Sequence, residues 1–187
     1  MALTMLDPNT ALIIVDLQKG LLGYPFMHPI NEVVAQACAL AEAFRARALP
    51  VVLVNVAGTA PGRTEQPPRI GAVPDGWTEL LPELNRHADD IVVTKRTWGA
   101  FASTDLERQL KARNVTQVVV AGVATGTGVE STARQAYEQG FNVTLALDAM
   151  TDARPEAHEY STTRIFPRLG QTGTTRDIIE LLNARTA

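Results

Sequence analysis

The sequence predicts an α/β protein, a three-layer α/β/α sandwich with a mainly parallel sheet of five to six strands, Rossmann-like in its alternation. Two observations carry this. Five short runs rich in Val, Ile and Leu, at 11–15, 51–56, 91–93, 117–120 and 142–147, are largely apolar, the pattern of strands covered on both faces. Segments with helical spacing, at 31–48, 104–113, 129–139 and 155–166, lie between most of these runs or follow the last, so strand and helix alternate.

The boundaries fit the elements. Ser103 or Thr104 can cap the second helix with Glu107 in its first turn, and Gly140 stands where the third should stop. Thr174 or Thr175 can cap a last helix to Leu182, after a short sixth strand at Gln171–Gly173. Residues 57–77 form the one long irregular stretch, with four prolines, expected to be a functional lid or a disordered surface. No internal repeat or second domain interrupts the pattern, so residues 1–187 are expected to form a single domain.

Composition narrows the function. With 187 residues, 45% of them hydrophobic, the chain can bury a sizeable core without disulfides or structural metal. A net charge of −3, with no basic cluster, speaks against nucleic acid as a partner. The longest wholly apolar runs are a few residues, against about 20 for a membrane span. The first ten residues lack the basic start and apolar stretch of a signal peptide, and the single Cys38 cannot form an internal bridge. A reducing, cytoplasmic setting is expected.

In an open parallel sheet, ligands bind beyond the carboxyl ends of the strands. That rule selects Asp16 after the first run, Asn55 in the second, Thr94 and Lys95 after the third, Gly122 after the fourth and Asp148 after the fifth. Asp16 alone can be a turn cap; with a lysine at the same rim it reads as half of an acid/base pair. The small-residue stretch 122–130, GVATGTGVE, joins the fourth strand to a helix and can present N–H groups to an oxyanion or carboxylate. It lacks the third glycine of a dinucleotide fingerprint and the Lys-Ser or Lys-Thr of a phosphate loop.

The segments ALIIVDLQ (11–18), TKR (94–96) and GVAT through VESTAR (122–134) resemble the isochorismatase-like hydrolase superfamily over residues 10–182. The resemblance implies that fold, a cofactor-free hydrolase acting on a small molecule, and a homo-oligomer. Asp16 and Lys95 match two members of the Asp-Lys-Cys triad of amide-cleaving relatives, but Gly128 stands where the nucleophilic cysteine would be. Glycine there is similar to true isochorismatases, which cleave a vinyl ether through a proton donor and water. By that resemblance Asp16 is the general acid, Lys95 its partner, and Gly128 leaves room for substrate. The resemblance also places a cis peptide at Val123–Ala124 and aims Ala124 and Gly128 N–H groups into the site. An amide or imide hydrolase using directly activated water, and a noncatalytic binding or scaffold protein, are the alternatives.

Substrate contacts are expected from Ala124, Thr125, Trp98, Phe101 and Arg96, with core packing the other reading for the two aromatics. Tyr24 and Phe26 can form an opposite wall, and Arg63 and Arg69 are further candidates for an anionic substrate. No metal site is expected: the stretch after the second strand, NVAGTA (55–60), has no ligand residue, and His28, His87 and His158 are scattered along the chain. Asp148 and Asp152 read as turn or cap residues, and Cys38 as a core residue.

Overall fold

The computed structural model describes residues 3–66 and 73–184. Strands β1 (Thr10–Val15), β2 (Val51–Val56), β3 (Ile91–Lys95), β4 (Gln117–Val123), β5 (Asn142–Thr151) and β6 (Gln171–Gly173) form one sheet. Their spatial order is β3-β2-β1-β4-β5-β6 and every pairing is parallel. This is the doubly wound order, in which the winding reverses between β1 and β4 and opens a crevice at their carboxyl ends.

Helices cover both faces. Val34, Ala37, Leu40 and Phe44 of α1 (Ile30–Arg45) and Ile178 and Leu182 of α6 (Thr175–Asn183) pack on Leu12, Ile14, Leu53, Val119 and Ala121. On the other face, Leu106 and Leu110 of α2 (Leu106–Lys111), Ala133 and Ala136 of α3 (Glu130–Glu138), and Phe166 of α5 (Phe166–Leu169) pack on Ile13, Val15, Val52, Val54, Val118 and Val120. Successive residues of β1 enter opposite cores, so the whole strand is buried and reads as an unbroken apolar run. Each such Leu, Ile or Val contributes about 1.5–3 kcal/mol when fully buried.

The ends follow local chemistry. Thr174 and Asp177 form a reciprocal capping box on α6. Thr104 Oγ1 accepts from Leu106 N at 3.2 Å, and Gly140, at φ 86°, ends α3.

Three elements depart from expectation. The 129–139 helix begins after a wide π turn at Thr125–Val129. The 155–166 helix is broken into α4 (Pro155–Tyr160), a π turn at Ser161–Ile165 and α5, because Pro167 has no N–H to return to Thr163. Strand β5 continues past Leu147 to Thr151, since its register against β4 shifts between Val120 and Gly122: Val120 pairs with Leu145, Gly122 with Met150. Asp148 therefore lies within β5, not beyond it. Its Oδ1 accepts from Thr175 N at 2.7 Å and Thr175 Oγ1 at 3.0 Å, at the start of α6.

Gly122 shapes the crevice, with φ 108° and a position where a Cβ would stand 2.0 Å from Val15 O. Gly122→Ala is expected to cost about 3 kcal/mol or more and lower the melting temperature by roughly 6–12 °C. A thermal melt within about 2 °C of wild type would contradict this close approach of β1 and β4.

Candidate active site

Asp16 leaves β1 at the winding reversal. Its backbone turns to φ 56°, a left-handed conformation rare for a residue with a side chain, while its N–H still bonds Val54 O at 2.8 Å. Lys95 ends β3, two strands away, across a gap of about 10 Å. The long lysine stem crosses beyond the end of β2, and Nζ donates to Asp16 Oδ2 at 2.7 Å and to Thr97 O at 3.3 Å. Lys95 is 2% exposed and Asp16 5%. The other oxygen, Asp16 Oδ1, is buried without a hydrogen-bond partner.

Burial and the lysine act in opposition on this carboxyl. Loss of solvation favours the neutral acid, the Lys95 charge and hydrogen bond favour the carboxylate, and burial prevails, raising the pKa from 3.8 to about 6.

The turn after β4 closes the site from the other side. The Val123–Ala124 peptide is cis, where the resemblance placed it. Gly128 is packed so tightly that a Cβ would stand 3.1 Å from Val123 O, 3.1 Å from Val15 Cγ1 and 3.2 Å from Asp16 Oδ2. Glycine lets the turn press directly against the Asp16 carboxyl.

The turn's donors are partly used within the protein. Gly126 N donates to Asp152 Oδ2 at 2.8 Å and Thr127 N to Ala124 O at 3.1 Å, so these two donors of the turn are held within the protein. Asp152, 2% exposed, also accepts from Arg154 N at 3.0 Å.

Thr125 is buried, its Oγ1 2.8 Å from His158 Nδ1. Far apart in the sequence, the His28 and His158 rings meet edge to face with centroids 5.0 Å apart. His28 Nδ1 lies 3.1 Å from Thr151 Oγ1, and nothing local in the sequence marks this pairing. Among the described residues no three His, Cys, Asp or Glu side chains gather as metal ligands.

A shallow, narrow crevice lies against Asp16, walled by Leu21, Leu22, Phe26, Ile30 and Val123. Phe26 thus stands where an opposite wall was expected, with Tyr24 at 6.2 Å between ring centroids. Phe101 is drawn into the core instead, its ring 6.0 Å from Phe141 and its N–H bonded to Gln135 Oε1 at 3.0 Å. Trp98 is 64% exposed. Arg96 Nη1 donates to Ala57 O at 3.3 Å across Gly58, at the rim between β2 and β3. Arg63 is exposed, and Arg69 lies outside the described residues. Cys38, on α1 and half-buried, donates to Glu83 O at 3.1 Å.

Gln18 is the residue that sequence reasoning passed over. Fully buried, it accepts from Val56 N at 2.7 Å and donates to Val56 O at 3.2 Å and Trp77 O at 3.1 Å, tying the exit of β1 to the end of β2 and the returning loop. Its signal was a polar side chain two residues beyond Asp16.

The isochorismatase domain matches residues 10–177. The chain belongs to the isochorismatase family. Within that family it is similar to the uncharacterized isochorismatase family protein YecD of Escherichia coli O157:H7, 41% identical over 96% of this chain and 100% of that one. The uncharacterized isochorismatase family protein YwoC of Bacillus subtilis is 39% identical over 92% of this chain and 93% of its own length. The solved structure of an isochorismatase family protein from Burkholderia thailandensis superposes with a TM-score of 0.92 and 40% identity, covering 96% of this chain and 98% of that one. The three-layer fold with its all-parallel sheet is thus the isochorismatase-family hydrolase fold.

Both contributions of Lys95 lower the Asp16 pKa. Lys95→Met, which keeps the stem and removes the charge, is therefore expected to move the Asp16 titration above about 6. A carboxyl carbon NMR titration measures it, and a midpoint that stays or falls would refute the opposition of burial and charge.

Proposed function

We propose that this chain is a cofactor-free hydrolase that cleaves the vinyl ether of isochorismate or a similar enol-pyruvyl compound, with Asp16 as general acid. One observation carries the reading: a buried carboxyl with its pKa raised to about 6 and one oxygen unpartnered, pressed against Gly128, where no side chain can attack. At neutral pH roughly a tenth of such a group holds its proton, enough for an acid catalyst.

Asp16 gives its proton to the methylene carbon of the enol ether, and the electron pair of the C=C bond forms the new C–H bond. The positive charge left on the ether carbon is shared with oxygen. Water adds to that carbon, and the hemiketal hydroxyl passes its proton to the ether oxygen as the C–O bond breaks, releasing the alcohol and pyruvate. The proton released by water restores Asp16, whose transient carboxylate is held by Lys95 at 2.7 Å. Ala124, Thr125, Trp98 and Arg96 are the substrate-binding positions of this reading, Phe101 being committed to the core; a small anionic substrate, a homo-oligomer and a cytoplasmic setting go with it.

The same pKa favours a second reading. The ionised form of Asp16 predominates above about pH 6, and an ionised carboxyl can activate water against an amide or imide. The two are opposite in pH dependence, since an acid catalyst loses activity as pH rises through its pKa and a base gains it.

Wild type is expected to release pyruvate from isochorismate, with kcat/KM falling tenfold per unit well above about pH 6. Asp16→Asn, in which Asn tolerates the left-handed backbone, is expected to lose about 100-fold or more. Ammonia or amine from an amide panel, without pyruvate, would transfer the assignment to the second reading. Neither product from folded protein would end both.

A further inference from the structure

The proposed mechanism leaves the paired histidines unused, and they stand behind the turn that mechanism depends on. His158, on α4, reaches Thr125 Oγ1 at 2.8 Å; His28, just before α1, reaches Thr151 Oγ1 at 3.1 Å, at the end of β5. The rings touch at 5.0 Å with an interplanar angle of 70°. Beside them α4 sits tightly on the turn: a Cβ at Gly126 would stand 2.9 Å from Ala157 Cβ, and Gly126 N is held by Asp152. Met27 N donates to Asp152 O at 2.9 Å, so the His28 segment, β5 and the turn share one hydrogen-bonded corner.

We propose that His28 and His158 are positioning residues: a neutral pair clamps α4 onto the 125–129 turn and so holds Gly128 against Asp16, and double protonation releases the clamp. Two imidazolium rings at this separation repel, and both are half-buried. Thr151 Oγ1 accepts from His28 N at 3.2 Å and lies 3.1 Å from His28 Nδ1, which fixes the ring against the end of β5. The groups acting on His158 are its own burial and His28, which disfavour a proton, and Asp152, which favours one; the first two prevail and its pKa is lowered. Residues 25–29 and 125–129 bring no other titratable side chain, and Arg154, Glu156 and Glu159 are exposed.

The sign follows. A histidine whose pKa is lower in the clamped state contributes clamp stability at high pH, lost as pH falls through its ordinary value toward the lowered one. Each unit of lowering is a tenfold change in the clamp equilibrium. This inference takes from the proposed function only the importance of Gly128 beside Asp16, and its test needs no substrate.

The test is hydrogen–deuterium exchange of the full chain at about pH 7.5 and about pH 5, corrected for intrinsic exchange, followed on peptides spanning the turn. Wild type is expected to lose about tenfold protection in residues 125–129 at the lower pH. His158→Gln, which can still hydrogen-bond Thr125 and cannot take a proton, should show no loss. His28→Phe, which keeps the ring contact without its charge, should show a smaller loss. Should circular dichroism show His158→Gln unfolded, the His28→Phe comparison decides. A wild-type turn with constant protection, or an equal loss in wild type and the folded variants, overturns the proposal. If pyruvate assays fail while the exchange result holds, the clamp stands and the substrate assignment falls.

Discussion

The site is organised around one demand, that Asp16 and Lys95 meet at 2.7 Å where water is excluded. Two opposite charges removed from solvent cost several kcal/mol each before their attraction returns any of it, so such a pair is a poor source of stability. It has to be imposed by the rest of the chain. The strand order puts β3 within a lysine's reach of β1, the left-handed backbone of Asp16 turns its carboxyl into the crevice, and Gly122 lets β4 lie close enough to wall it in. The two apolar layers supply the energy for this, because every residue of β1 and β4 is buried and the crevice falls at their ends.

What burial does to Asp16 also sets its chemistry. A solvated aspartate beside a lysine would be ionised at any neutral pH; here the loss of water outweighs the lysine, and the group sits between acid and base. Lys95 then has two effects on one atom, limiting how far the pKa climbs and receiving the charge when the proton leaves. On the far side of the turn a second carboxylate, Asp152, is buried as well, but it is satisfied by two backbone N–H groups and serves to hold the loop. The difference between the two aspartates is the difference between partners with a full complement of donors and an oxygen left without one.

The sheet was legible because strands covered on both faces must be apolar throughout, and the helices because Thr174, Thr104 and Gly140 mark ends by local chemistry. Asp16 and Lys95 were legible for a related reason, each being a charge that directly follows such a run. The length of β5 was not, because Asp148 imitates a strand end while its carboxylate is in fact spent on Thr175. The ring contact of His28 with His158 joins distant parts of the chain, and Phe101 follows Lys95 closely in sequence yet turns inward to Phe141. Both depend on how layers meet, which no local pattern encodes.

Gln18 shows how the crevice survives the break that creates it. The left-handed turn at Asp16 ends the regular hydrogen-bond ladder of β1, but the Gln18 carboxamide, a donor and an acceptor on one planar group, goes on pairing with Val56 as a further peptide unit would. In effect the strand is spliced by a side chain. A glutamate there would match the shape and offer only oxygens to the Val56 and Trp77 carbonyls, so the position discriminates by hydrogen-bond polarity and not by size or hydrophilicity. A single-atom exchange, at a side chain that touches no reacting atom in the proposed mechanism, would thus unfasten β2 and the returning loop from the strand that carries the acid.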